Sequence, residues 1–80
     1  MTEEELKILK EFQKDTQWLI ENYQKLKKEF VDRFVAIKNG KVIESDENLD
    51  KLIEKLQKKG EDASKTVIEF IPPEDMIIIL

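Results

Sequence analysis

The residue types that usually carry chemistry are sparse in this sequence. It has no His and no Cys, which excludes thiolate metal sites, thiol nucleophiles and the side chain that most often moves protons near neutral pH. Gly40 and Gly60 stand alone, so no glycine-rich phosphate loop is present. Ser45 and Ser64 have no His to activate them. We therefore predict that the protein is not an enzyme and uses no cofactor.

One acidic stretch imitates a metal-binding loop. Asp46, Asn48 and Asp50 have the alternating spacing that opens an EF-hand loop. The sixth position of that loop is Lys51 where Gly is required, and the twelfth is Gln57 where Glu is required. The stretch is therefore predicted to be the acidic beginning of a helix, and no metal site is expected.

Two groups of residues are candidates for binding. Arg33, Lys38 and Lys41 would form a small basic tip beside a predicted turn, suited to a phosphate or an acidic partner. Nucleic-acid binding through this tip is one alternative function, although the net charge of −4 disfavours it. Trp18 and Tyr23 suggest a second alternative, a small-ligand site, with Trp18 at the rim of an apolar stripe.

A long amphipathic helix is predicted within residues 1–30. Its expected buried face has a 3-4-3-4 spacing and consists of Leu9, Phe12, Thr16, Leu19, Tyr23, Leu26 and Phe30. At roughly 1.5 Å per residue such a helix is about 39 Å long. It would extend beyond the sheet on which it packs, because a predicted strand is only about 20 Å long. We expect either a break near Asp15 and Thr16, where Asp15 would cap a second helix, or an overhanging first half in which Phe12 contacts a partner.

Residues 31–80 predict a β-β-α-β-β unit. Asn39-Gly40 lies between two apolar runs and is typical of a two-residue hairpin, because a type I′ turn needs positive φ at both positions. A helix capped by Ser45 or Asp46 follows and ends at Gly60. The third strand covers residues 66–71, and residues 76–80 form a fourth strand beside it.

The predicted fold class is α+β, with a single domain over residues 1–80. The two-residue turn pairs Ile37 with Val42 and Ala36 with Ile43. A right-handed crossover then gives a small mixed sheet of order 2-1-3-4, with the helices mainly on one face. The sequence is rich in Lys and Glu, a bias that is found in thermophile proteins and is also produced by a low-GC genome. The acidic start of the chain and the lack of a long apolar run predict a cytoplasmic protein with no membrane partner.

The last five residues, 76–80, are all apolar. A strand of this composition has two faces to bury, and we expect a homodimer or a tight complex with one protein partner. The candidate contact residues are Phe12, Trp18, Ile77 and Ile79. The alternative is a monomer in which the N-terminal helix covers the second face of the sheet.

Three segments resemble a small uncharacterised protein family that is common in archaea. They are "TQWLIENYQKLKKEF", "RFVAIKNGKVIESDENLDKLIEKLQKKG" and "TVIEFIP". The resemblance covers about residues 18–73 and implies a fold but no reaction. Together with the lack of catalytic residues, it leads us to expect a non-catalytic protein-interaction module, such as a small regulatory or antitoxin-like companion protein.

Overall fold

The computed structural model describes residues 2–73. Over this range the chain forms three α-helices and three β-strands, with a short 3-10 turn before the last strand. In chain order these are α1 Glu3–Glu21, α2 Tyr23–Glu29, β1 Arg33–Ile37, β2 Val42–Asp46, α3 Leu49–Lys58, the 3-10 turn Ala63–Lys65 and β3 Val67–Ile71. The α+β class is confirmed. No helix in this range is long and apolar enough to cross a membrane.

The sheet is organised around the Asn39-Gly40 turn. Both residues have positive φ, 54° and 67°, and the Lys38 amide donates to the Lys41 carbonyl at 3.0 Å. This is the two-residue hairpin that the sequence predicts, because only residues that tolerate positive φ can occupy both positions. The turn fixes β1 and β2 as antiparallel neighbours.

The register of the hairpin departs from the prediction after one pair. Ile37 lies opposite Val42 as expected, but Ala36 lies opposite Glu44 instead of Ile43. A β-bulge places one extra residue on β2 at this point. Since a bulge reverses which side chains share a face, Glu44 comes to lie on the same face as Ala36.

The third strand pairs with β1, so that β1 is central and the strand order is β2-β1-β3. Both pairings are antiparallel, and the predicted mixed sheet is therefore wrong for the described residues. β3 has the same direction as β2 but is separated from it by β1, so no parallel ladder forms. The predicted fourth strand at residues 76–80, and with it the order 2-1-3-4, lies outside the described residues.

The N-terminal helix is continuous through Asp15 and Thr16, and the predicted break there is not found. The interruption falls at Asn22, which separates α1 from α2. The Asn22 side-chain amide donates to the Trp18 carbonyl at 2.9 Å. A short side chain that bonds its own backbone competes with the helical pattern, which explains the position of the break.

The helix α3 begins later than predicted, because β2 continues through Asp46. Its N-cap is Asn48, whose side-chain oxygen accepts from the amides of Asp50 and Lys51. Its C-terminal end has the predicted glycine, with Gly60 at a φ of 77°. The Glu61 amide then bonds the Leu56 carbonyl at 2.8 Å, which is the Schellman arrangement.

The helices cover both faces of the sheet, and the expectation that they lie mainly on one face is wrong. One buried cluster joins α1 and α2 to the sheet and contains Leu19, Leu26, Val35, Ile37 and Ile71. The other joins α3 to the opposite face and contains Ala36, Leu52 and Leu56. Because β1 is apolar on both faces, each face needs its own helical layer. The sheet face with Phe34, Ala36 and Ile43, which we expected a partner or the N-terminal helix to cover, is therefore covered by α3.

Candidate functional site

The helix α1 is attached to the hairpin turn by two side chains one turn apart. An Asp15 carboxylate oxygen accepts a hydrogen bond from the Gly40 amide at 2.9 Å, and Asp15 is only 6% exposed. The Trp18 indole lies against Gly40, with its Cδ1 atom 3.6 Å from the point where a Cβ on Gly40 would lie. The two contacts place α1 across the tip of the hairpin, and sequence reasoning assigned Asp15 only a capping role.

An open groove of about 720 Å³ lies between α1 and the hairpin turn. Its walls combine the Trp18 ring with charged and amide side chains of α1. The lining residues are Lys10, Glu11, Gln13, Lys14, Asp15, Gln17, Trp18, Glu21, Asn39 and Gly40. This groove is where an aromatic ring and hydrogen-bonding groups are both accessible.

A smaller concavity of about 250 Å³ lies on the other side of Trp18. Its lining includes the apolar residues Leu26, Phe30 and Val42 and the basic residue Lys41. Trp18 therefore separates two depressions and is half-buried. The expectation that Trp18 lies at a rim agrees with this position.

The structure brings Lys38 and Lys41 together beside the turn, where the Lys38 amide donates to the Lys41 carbonyl at 3.0 Å, but Arg33 of the predicted basic tip lies at the other end of β1. Arg33 and Lys38 flank opposite ends of β1, about 17 Å apart at roughly 3.4 Å per residue. Arg33 is 3.8 Å from Glu47. The Lys38 ammonium donates to Glu61 at 2.6 Å, and this hydrogen bond raises the pKa of Lys38. Both charges are thus already paired, and the exposed Lys41 lines the smaller concavity.

Acidic residues of β2 pair with lysines of the α3 segment. Asp46 contacts Lys55 at 2.9 Å, and Glu44 contacts Lys59 at 3.3 Å. Burial alone would raise the pKa of Glu44, but hydrogen bonds from the Ser45 amide and from Lys59 hold its pKa below the ordinary value of 4.5. The β-bulge makes these pairs possible, because it turns Glu44 toward α3.

The same lysines close the outer edge of β2. Lys59 donates to the Ile43 carbonyl at 2.6 Å, and Lys55 donates to the Ser45 carbonyl at 3.1 Å. A strand edge whose carbonyls already accept hydrogen bonds is a poor template for another strand. Within residues 2–73, no group of three potential metal ligands comes together, and Asn48 serves as a helix cap.

The structure describes two of the four remaining predicted contact residues. Tyr23 packs against the buried cluster under α1 and α2, with the Lys27 ammonium 5.7 Å from its ring centre. Phe12 is half-buried. Ile77 and Ile79 lie outside the described residues.

The solvent-facing side of α1 carries three aliphatic residues, of which the sequence prediction assigned Leu9 and Ile20 to the core. Leu6, Leu9 and Ile20 are 43%, 45% and 64% exposed. The predicted buried stripe included Leu9 and Thr16, but both are exposed and the buried positions are Asp15 and Leu19. We call this side the outer face of α1 and define it by Leu6, Leu9, Gln13, Thr16 and Ile20.

The comparison with family models found a match to more than half of the chain. A model described as "Family of unknown function (DUF5678)" matches residues 25–74. The chain belongs to this family. The expected resemblance to an uncharacterised family is confirmed at this level. A search of curated proteins and a search of solved structures found no match.

The DUF5678 segment begins inside α2 and includes the whole described sheet and α3. The helix α1 precedes it. Asp15, Trp18 and the outer face of α1 therefore belong to the part of the chain that the family model does not match. The DUF5678 segment supplies Gly40, to which the two α1 side chains attach.

Proposed function

We propose that the protein is a non-catalytic interaction module that binds a protein through the outer face of α1. The observation that carries the proposal is the exposure of Leu6, Leu9 and Ile20 along one side of a 19-residue helix. The opposite side of this helix already packs on the sheet through Leu19. Within residues 2–73, the outer face is thus a second apolar surface that the described helices and strands do not bury.

The arrangement of these side chains suits a helical or grooved partner. Single exposed aliphatic residues are ordinary on protein surfaces. Three of them on one helix face form the anchor pattern by which amphipathic helices bind grooves and other helices. Burial of a Leu or Ile side chain contributes about 1.5–3 kcal/mol, so completing the burial of three half-exposed side chains contributes about half of that at each position.

The chain's composition is consistent with binding as its role. Its lack of His and Cys removes the commonest general base and the commonest thiol chemistry. On this proposal the wider role is that of a small regulatory or antitoxin-like companion protein, and binding through α1 is its first requirement.

The test compares a variant of the outer face with a matched variant elsewhere. Leu6→Gln, Leu9→Gln and Ile20→Gln are combined in one chain, and Leu49→Gln is the control because Leu49 is 39% exposed on α3. Wild type and control should retain a stoichiometric protein partner, a second copy included, in native-host pull-downs and light scattering. The combined variant should lose that partner while its thermal unfolding stays close to wild type. No stoichiometric partner for wild type, or equal retention by all three chains, would overturn the proposal.

A small-ligand role at the groove beside Trp18 is the second candidate. It is favoured by the aromatic wall and by the groove's volume of about 720 Å³. Trp18 is the single Trp of the chain, so its fluorescence reports directly on the groove. A saturable change against a metabolite panel would support this role, and unchanged emission throughout would remove it. We do not favour nucleic-acid binding, because Arg33 and Lys38 are ion-paired at opposite ends of β1.

A further inference from the structure

We infer that the partner of the outer face of α1 is a second copy of this chain, and that the two α1 helices pair antiparallel. The inference rests on the proposed function and names the occupant of the same surface. It is carried by the spacing of the outer face, by the distribution of charge along the helices, and by the reach of the residues that follow β3.

The outer face has the spacing of a coiled-coil seam. Its residues are separated by three, four, three and four positions and are Leu6, Leu9, Gln13, Thr16 and Ile20. Side chains at alternating intervals of three and four form the line along which two helices interlock. The line is about 21 Å long, at roughly 1.5 Å per residue. It belongs to α1 alone, since all five residues lie within Glu3–Glu21.

Two copies of this line match when they run in opposite directions. With Gln13 at the two-fold axis, Leu6 of one copy lies level with Ile20 of the other. Leu9 then lies beside Thr16 of the other copy, and each aliphatic end is covered by the opposite end of the second helix. The self-complementary contact is the kind that closes a two-fold dimer without leaving an open surface.

Charge favours the antiparallel direction. The first turn of α1 contains Glu3, Glu4 and Glu5, and α2 contains Lys25 and Lys28. A parallel pair would place the acidic turns side by side, where like charges repel. With Gln13 at the axis, an antiparallel pair places the acidic turn of one copy level with Glu21, Asn22 and Tyr23 of the other, within about one turn of Lys25, and it also opposes the two helix dipoles.

The residues that follow Ile71 in the same chain are too few to reach the Leu6 end of this face. Ile71 pairs with Arg33, at the end of β1 away from the hairpin turn. Asp15 lies at that turn, and Leu6 lies nine residues before it in a helix, which adds about 13 Å. With about 20 Å for the length of the hairpin, Leu6 is about 33 Å from Ile71 along the axis. The nine residues 72–80 that follow Ile71 span at most about 32 Å, so their full extension falls short of Leu6.

The first test is the mass of the full chain in solution by light scattering and sedimentation equilibrium. At about 100 µM, a concentration that populates a micromolar dimer, we expect twice the 9.5 kDa monomer mass. The combined Leu6→Gln, Leu9→Gln and Ile20→Gln variant should return to the monomer mass. The Leu49→Gln control and an Ile77→Gln, Ile79→Gln chain should remain dimeric. A dimer lost only in the Ile77 and Ile79 variant would overturn the inference.

Cysteine cross-linking tests the direction and remains informative if the combined variant unfolds. The chain has no Cys, so each introduced thiol is unique. Under mild oxidation, Gln13→Cys should give a covalent dimer, because its two Cβ atoms approach at the axis. Leu6→Cys alone should stay monomeric, whereas a mixture of Leu6→Cys and Ile20→Cys chains should cross-link. Efficient dimers from Leu6→Cys alone would indicate parallel helices and overturn the inference.

The results separate this inference from the proposed function. A wild-type chain that stays at the monomer mass overturns the self-pairing. If that monomer still holds a stoichiometric host protein that the combined variant loses, the proposed function stands. If it holds none, both are overturned.

Discussion

Replacing Asp15 with Ala tests whether the hairpin turn holds α1 on the sheet. The Asp15 carboxylate accepts from the Gly40 amide at 2.9 Å and is 6% exposed. A hydrogen bond to a charged acceptor contributes about 1.5–3 kcal/mol, and the lower end applies because this bond is only part-buried. Ala is the better helix former by about 0.5 kcal/mol, which offsets part of the loss. We therefore expect the free energy of unfolding to fall by about 1–2 kcal/mol.

The measurement is urea unfolding followed by far-ultraviolet circular dichroism. For a domain of this size, each 1 kcal/mol corresponds to about 4–8 °C in Tm, so a thermal scan should show the same loss. Trp18 adds a local readout, since its indole packs on Gly40. Its emission should shift to longer wavelength in folded Asp15→Ala, because a loosened turn exposes the ring to water.

Two variants control this experiment. Lys14→Ala changes the exposed neighbour on the same helix and should leave stability within about 0.5 kcal/mol. Asp15→Asn keeps an acceptor oxygen without the charge and should cost less than Asp15→Ala. If Asp15→Ala and Lys14→Ala have the same stability and the same Trp18 emission, the hydrogen bond to Gly40 does not hold α1, and the reasoning is refuted.

Three further outcomes are expected. Gly40→Val should lose at least about 1–2 kcal/mol in urea unfolding, because φ is 67° and a side chain would meet Trp18; an unchanged Tm would contradict the type I′ turn. Leu26→Ala, at a site only 3% exposed, should cost about 2–5 kcal/mol, and a loss below about 1 kcal/mol would remove Leu26 from the core. The pKa of Glu44 is lowered in the fold, so its stabilising contribution is present above the ordinary pKa of 4.5 and is lost as pH falls through the folded value. Stability measured against pH should decline in that acidic range, and Lys59→Met should flatten the decline.

Local chemistry alone determined the hairpin turn and the end of α3. Asn39-Gly40 tolerates positive φ at both positions, and Gly60 does so after the helix. These conformations depend on the residues' own backbones, so neighbours in space are not needed to predict them. The central position of β1 is likewise predicted, because a strand with apolar residues on both faces needs cover on both.

The role of Asp15 was decided by the tertiary structure. An Asp in a long helical pattern is predicted from sequence as a local cap, since its nearest donors are on its own helix. Its actual donor is the Gly40 amide, 25 positions away. The break assigned to this site falls at Asn22 instead, where the side chain bonds the Trp18 carbonyl. The spacing of apolar residues along α1 does not indicate which distant amide will lie beside Asp15.

The faces of β2 were also decided by packing. The turn predicts that Ala36 pairs with Ile43, but the bulge moves the partner to Glu44. With the bulge, Glu44 reaches Lys59 of the α3 segment. A one-residue change in register exchanges the two faces of a strand, and the lysine partners that favour the exchange are remote in sequence.

Only the tertiary structure decided which side of α1 is buried. Aliphatic residues occur on two sides of the helix, and the 3-4-3-4 spacing fits both. The sequence therefore determined that α1 is amphipathic, while the contacts of Asp15 with Gly40 and of Leu19 with the sheet fixed its rotation. The rotation of α1 about its axis depends on which groups the facing sheet and hairpin turn present to it. That facing surface is assembled from segments far apart in the chain. The same choice left Leu6, Leu9 and Ile20 facing solvent.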